Sequence, residues 1–193
     1  MEQRDLARRV LLTLLLVVPP APAFADIIGM QVERKVTEAD MKASLREVEL
    51  VDEKGAPLDL NALMGSGKPT LVSLWAHWCP NCLGEVSGYK AIAKACPRQW
   101  NIVFVSARAG DYPKDLAKFK SFGLPWKFYH VGGSSRDDVA KAKAARAFYG
   151  ETVEGGVVTP MHYFIDASGA VEAIVAGKMD FTEPDRLAAF CGR

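Results

Sequence analysis

Two runs of six residues, Thr70–Trp75 (TLVSLW) and Asn101–Ser106 (NIVFVS), are almost continuously apolar, the pattern of strands buried on both faces of a sheet. Between them Leu83, Val86, Tyr89, Ile92 and Cys96 recur every three or four residues, a helical stripe that Pro97 closes. The alternation continues downstream. Leu116, Phe119 and Phe122 mark a helix ending at Gly123, Lys127–Val131 a short strand, and Val139, Ala142, Ala145 and Tyr149 an Ala-rich helix ending at Gly150. Met161–Ile165 and Ala170–Ala176 flank the turn Asp166-Ala167-Ser168-Gly169 as a hairpin, and Thr182 is expected to cap a final helix carrying Leu187, Phe190 and Cys191. Upstream, Leu45–Val51 alternates apolar and polar residues and is expected to be a strand, with Asp52–Gly55 as a turn and Pro57–Leu60 as its return strand. Strands alternating with helices, then a hairpin and a helix, mean an α/β sheet with an antiparallel edge.

A chain of 193 residues is long enough to bury one core without staples. At 49% hydrophobic and 24% charged residues it is not a disordered chain, and a formal charge of +1 excludes an electrostatic nucleic-acid binder. The first 25 residues stand apart. Arg4, Arg8 and Arg9 make a basic head, Val10–Val18 an apolar run, and Ala23-Phe24-Ala25 a small-x-small cleavage pattern before Asp26. That is the layout of a secretory signal peptide, and the run is shorter than the ~20 apolar residues of a membrane span. Its removal takes three Arg, one Asp and one Glu from 24 basic and 23 acidic residues, leaving 21 of each. Residues 26–44 are expected as an N-terminal extension, with a capping box from Thr37 to Asp40, and residues 45–193 as the folded domain. Four cysteines are too few to be a scaffold, but an exported compartment lets disulfides persist.

The chemistry concentrates in Trp75-Ala-His-Trp-Cys79-Pro-Asn-Cys82. Cys79 falls where the strand ending at Trp75 meets a helix starting near Pro80, and Pro suits a first helical position. A thiolate there is favoured by free N–H groups and the helix dipole. Cys82, one helical turn on, can reach Cys79 to form or resolve a disulfide. A C-x-x-C after a buried strand reads as a redox pair; an inert bridge, or half of a zinc site without its second pair, are the plainer readings.

This run resembles the thioredoxin superfamily and, within it, the TlpA/ResA-like exported thiol–disulfide oxidoreductases. The likeness spans residues 45–191 and includes the opening hairpin ending Gly67-Lys68-Pro69, the WxxWCxxC run, Thr159-Pro160 and the FIDxxG hairpin. Ser73 stands where thioredoxins proper carry a buried Asp, and Glu85 matches the WCxxCxxE form of the ResA-like group. Pro80-Asn81 and Met161-His162 depart from the usual residues. The resemblance implies a thioredoxin-like fold, a central mixed sheet flanked by helices, with an N-terminal β-hairpin extension. It also implies a cis Thr159–Pro160 peptide opposite the cysteines, with Thr159, Pro160 and Trp78 as substrate-binding residues.

On that reading Cys79 is the nucleophile and Cys82 the resolving thiol. Glu85 either accepts the Cys82 proton or complements the helix dipole. His77 and His162 are each a solvated loop histidine or a group acting on the thiols; His130 carries no signal. Trp75 is expected in the core, and Trp78 either on a docking surface or in the core. In such a fold Cys96 and Cys191 sit at the distal ends of two helices that run the same way, about 25 Å from the active end. They are either a structural disulfide or two buried thiols. The resemblance implies a periplasmic reductase without cofactor or bound metal. Its partners would be disulfide-containing exported proteins, such as apocytochrome or copper-site proteins, and a membrane thiol electron donor. The alternative is a Cu(I)-binding metallochaperone using the same cysteines with His77 or His162; a peroxidase has no second motif in its favour.

Overall fold

The structure, a computed structural model, describes residues 33–132 and 139–192; the expected signal peptide lies outside them. Thr37 opens the first helix through the expected capping box: its hydroxyl accepts the Asp40 N–H at 3.1 Å, and the Asp40 carboxylate accepts the Thr37 N–H at 3.3 Å. Helix α1 (Glu38–Glu47) then buries Met41, Leu45 and the following Val48. These lie four and three residues apart, a helical spacing, so the strand expected from Leu45 is corrected to a helix there. Only Leu50–Val51 (β1) is extended; it pairs with Pro57–Leu58 (β2). The return strand stops before Leu60 because the Asp59 carboxylate accepts the Ala62 N–H at 2.8 Å and starts helix α2 (Leu60–Met64).

Strands β3 (Thr70–Trp75) and β4 (Asn101–Ser106) have the expected bounds. The helical stripe between them is two helices, α3 (Pro80–Gly84) and α4 (Val86–Ala95), divided at Glu85. Then come α5 (Tyr112–Lys120), β5 (Phe128–Val131), α6 (Val139–Phe148), β6 (Met161–Ile165), β7 (Val171–Ala176) and α7 (Pro184–Phe190). The last helix is capped by Glu183, whose carboxylate accepts the Asp185 and Arg186 N–H groups, and not by Thr182, whose hydroxyl donates to Asp180 at 2.6 Å. Gly150, just past α6, has φ +57, a conformation that favours a residue without Cβ.

The sheet order is β2-β1-β5-β4-β3-β6-β7. Its centre, β5-β4-β3, is parallel, and an antiparallel hairpin extends each side, so the sheet is mixed as expected. Alternation along the central strands builds two cores. Leu71, Trp75, Ile102 and Phe104 face Tyr89 and Ile92 of α4, Phe119 of α5 and Phe190 of α7. Val72, Leu74, Val103 and Val105 face Met41 and Leu45 of α1, Leu60 of α2 and Phe148 of α6. Each fully buried large side chain contributes about 1.5–3 kcal/mol. The central strands are therefore fixed on both faces, and the turn leaving the C-terminal end of β3 hangs on a rigid base. Among the described residues no helix is long and apolar enough to cross a membrane.

Candidate active site

Strand β3 stops at Trp75, and the Cys79 N–H returns to the Ala76 carbonyl at 3.2 Å, closing a turn with His77 and Trp78 at its centre. Cys79 caps α3 and Pro80 is the first residue of that helix. The Trp75 indole N–H donates to the Cys82 carbonyl at 3.1 Å, tying the first turn of α3 to the strand. Cys79 and Cys82 are disulfide-bonded, with Cα atoms 5.2 Å apart. Cys82 has no exposed surface and Cys79 has 3%, so Cys79 is the thiol nearer solvent. The Cys82 N–H donates to Cys79 Sγ at 3.1 Å. Across from it, Cys79 Sγ lies 3.4 Å from the Thr159 carbonyl oxygen, in a chain segment 80 residues away. The Thr159–Pro160 peptide is cis.

Outside the disulfide the turn is held by residues that come after β4. The Asp115 carboxylate, buried in the first turn of α5, takes the His77 backbone N–H at 2.7 Å, lies 2.6 Å from His77 Nδ1, and takes the Ser106 hydroxyl at 2.5 Å. Trp78 is 40% exposed, its indole N–H donating to Asp111 at 3.0 Å while the Arg108 guanidinium lies 4.9 Å from its ring centroid. Trp78 therefore belongs to the surface beside Cys79, and Trp75 to the core. His77 is anchored, not simply solvated.

Beneath the motif lies a buried polar cluster. Glu85, 1% exposed, stands at the N-cap of α4 but makes no side-chain cap bond to it; its carboxylate turns inward. Its Oε1 accepts the Met179 N–H at 2.6 Å and lies 3.0 Å from His162 Nε2; its Oε2 accepts the Tyr89 hydroxyl at 3.4 Å. Tyr89 in turn is 3.2 Å from the Ser73 hydroxyl. Burial, and after it the Glu85 charge, hold the Tyr89 hydroxyl well above its ordinary value of 10.0, so it stays a donor. His162 is fully buried on β6, where it pairs in register with Ser73. It is no loop histidine, and its Nδ1 has no hydrogen-bond partner among the described residues.

Cys96 and Cys191 are disulfide-bonded, with Cα atoms 5.3 Å apart, at the ends of α4 and α7. No group of three or more His, Cys, Asp or Glu side chains among the described residues is arranged to hold a metal ion. The two histidines named for copper turn to Asp115 and Glu85 instead. Asp115, Asp111, Arg108, Tyr89 and Met179 are site residues the sequence reading missed. Each meets the motif through a tertiary contact or as one member of a core stripe. The acid at the start of α5 is the one local signal, and it reads equally well as a dipole complement.

No protein-family model matches the chain. It is 23% identical over 140 residues to an uncharacterized protein of Haemophilus influenzae, covering 72% of this chain and 81% of that one. Among solved structures it is similar to a thioredoxin-family thiol:disulfide interchange protein from Chlorobium tepidum (TM-score 0.51, 19% identity, 85% of this chain and 99% of that one). A secreted disulfide oxidoreductase of Mycobacterium tuberculosis (TM-score 0.51, 20% identity, 81% and 98%) and a thiol:disulfide interchange protein from Bacteroides sp. (TM-score 0.52, 21% identity, 76% and 86%) are also similar. These likenesses establish the thioredoxin-like fold.

Proposed function

We propose that the chain is an exported thiol–disulfide oxidoreductase that reduces disulfides in partner proteins through Cys79 and Cys82. The observation that carries this reading is the Cys79–Cys82 bridge at the start of α3, with the Cys79 sulfur 3.4 Å from the Thr159 carbonyl. A thiolate at Cys79 gains from the Cys82 N–H already aimed at it and from the open end of α3. The exchange of sulfur–sulfur bonds itself uses only the two thiols. Cys79 attacks a substrate disulfide and forms a mixed disulfide; Cys82 then displaces the product and leaves the pair oxidised. Glu85, one turn after Cys82, takes the proton that Cys82 gives up.

The surroundings define how substrate is held. An extended peptide can pair with the backbone at Thr159 and lie against the exposed face of Trp78. The names borne by the similar structures support disulfide exchange. Export is supported by the basic and apolar N-terminal residues and by the secreted M. tuberculosis protein. Exported proteins with cysteine pairs, such as apocytochromes or copper-site proteins, are the proposed substrates, with a membrane thiol protein restoring the dithiol.

The test is reduction of insulin disulfides by the protein and its Cys79→Ser variant, with dithiothreitol as electron source. Catalysis by the protein alone is expected. Equal rates for the two, or none above dithiothreitol by itself, would overturn the reading. Glu85→Gln is expected to slow exchange and displace the pH–rate profile; an unaltered profile removes Glu85 from the proton path.

A further inference from the structure

The turn that delivers Cys79 is clamped by an acid the exchange chemistry leaves unused. Asp115 has no exposed surface, and its two oxygens meet three hydrogen-bonding groups: the His77 backbone N–H, the His77 ring and the Ser106 hydroxyl. One Asp115 oxygen serves both the backbone and the ring of the same residue, so the imidazole is fixed in place as well as the turn. The tautomer that suits this 2.6 Å contact donates from Nδ1 to the carboxylate and presents Nε2 as an acceptor. The side chain keeps 28% of its surface exposed, so this ring is not sealed in the core. His77 and Cys79 are the second and fourth residues of one four-residue turn. A base oriented by a third group is part of the arrangement that activates nucleophiles in general, and His77 stands two residues before the nucleophile.

We propose that His77, oriented by Asp115, carries the proton of the exchange at Cys79; the proposal rests on the oxidoreductase reading. In the dithiol protein the Cys79 thiol passes its proton to His77 Nε2, leaving a thiolate beside an imidazolium. The thiolate bonds to one sulfur of the substrate disulfide. The substrate S–S bond breaks with its electron pair on the second sulfur, and the imidazolium returns the proton there. Cys82, whose proton goes to Glu85, then attacks Cys79 and releases the first substrate sulfur, which takes up a proton from solvent. Glu85 then gives its proton to solvent, so the protein loses two electrons and two protons and the substrate gains two of each. Asp115 is a positioning residue in this scheme. Among the described residues, charged groups against the turn include Asp111 and Arg108, both on Trp78, and Lys178, which reaches Gly84 of α3.

Two readouts on the full chain test this. The first follows the His77 imidazole by nitrogen NMR across pH in the disulfide and dithiol forms. A shared proton requires His77 to titrate at higher pH in the dithiol form, where a thiolate neighbours it. The second compares the pH dependence of Cys79 alkylation, and the rate of insulin reduction, with the His77→Gln variant, whose amide can still donate to Asp115 but cannot carry a proton. The variant is expected to move the alkylation profile to higher pH and to lose about tenfold or more in rate at neutral pH. The same His77 titration in both redox forms, with an unshifted alkylation profile in the variant, would overturn the proposal. So would a variant that only melts at a lower temperature, since that marks a merely pinned turn. Failure of the unaltered protein to reduce insulin counts against the oxidoreductase reading alone, because the NMR comparison still decides the His77 question.

Discussion

Glu85 shows why a motif is easier to read than its surroundings. Its place three residues after Cys82 was visible in the sequence; its partners were not, because His162 and Met179 lie 77 and 94 residues further along the chain. The alignment of β6 with β3 brings His162 in, and the segment after β7 brings Met179. The same holds for His77, whose partner Asp115 is 38 residues away. Cys79 and Cys82 were legible from residue type and spacing, Thr159 and Pro160 through the resemblance to the thioredoxin superfamily. At Glu85 the energetics are those of a buried pair: removing one member leaves the other desolvated and unmatched. Glu85→Ala orphans the Met179 N–H and His162 together and is expected to cost about 3–5 kcal/mol in urea unfolding of the disulfide form. A loss under about 1 kcal/mol would mean that water or relaxation replaces the carboxylate, contrary to its burial in the structure.

The elements that were legible are those whose pattern admits one period. Thr70–Trp75 and Asn101–Ser106 had no competing helical reading, and their bounds match. Leu45–Val51 did have one: Met41, Leu45 and Val48 fit a helical face, and the capping box at Thr37 decides for it. The motif helix matched in its stripe but not in its continuity, for Glu85 turns inward where α3 gives way to α4. Close packing of α4 leads to a sharper expectation. A Cβ on Gly88 would meet the Phe181 Cβ at 2.6 Å and its Cα at 3.2 Å, and neither is the free end of a side chain. Phe181 also packs on Tyr89, with ring centroids 5.0 Å apart, and edge-on to His162 at 5.9 Å. Gly88→Ala is therefore expected to destabilise by about 1–3 kcal/mol in spite of alanine's better helix propensity. Unchanged or raised stability in thermal melts would show that α4 can slide away from Phe181.

Across the whole molecule the two disulfides divide stability from chemistry. Cys96–Cys191 joins the ends of α4 and α7 over 95 residues of sequence. Replacing both cysteines by serine is expected to cost about 2–5 kcal/mol, with disulfide-reducing activity kept at temperatures where the fold survives. Loss of activity in a folded double variant would instead tie this bridge to the exchange. The tyrosines set the alkaline limit. Burial holds Tyr89 well above 10.0, raises Tyr163 strongly, and lifts Tyr112 to about 12. The unfolded chain releases these protons near pH 10, so their contribution is complete below that pH and falls as pH rises beyond it. Melting temperature should hold to about pH 9 and drop by about pH 11; a flat profile would mean that the hydroxyls ionise without unfolding. The central claim, exchange through a nucleophilic Cys79, is tested most directly by mass spectrometry of the Cys82→Ser variant after reaction with a disulfide substrate. The account predicts a single substrate adduct bound through Cys79 and released by dithiothreitol, whereas no adduct, or one on another cysteine, would contradict it.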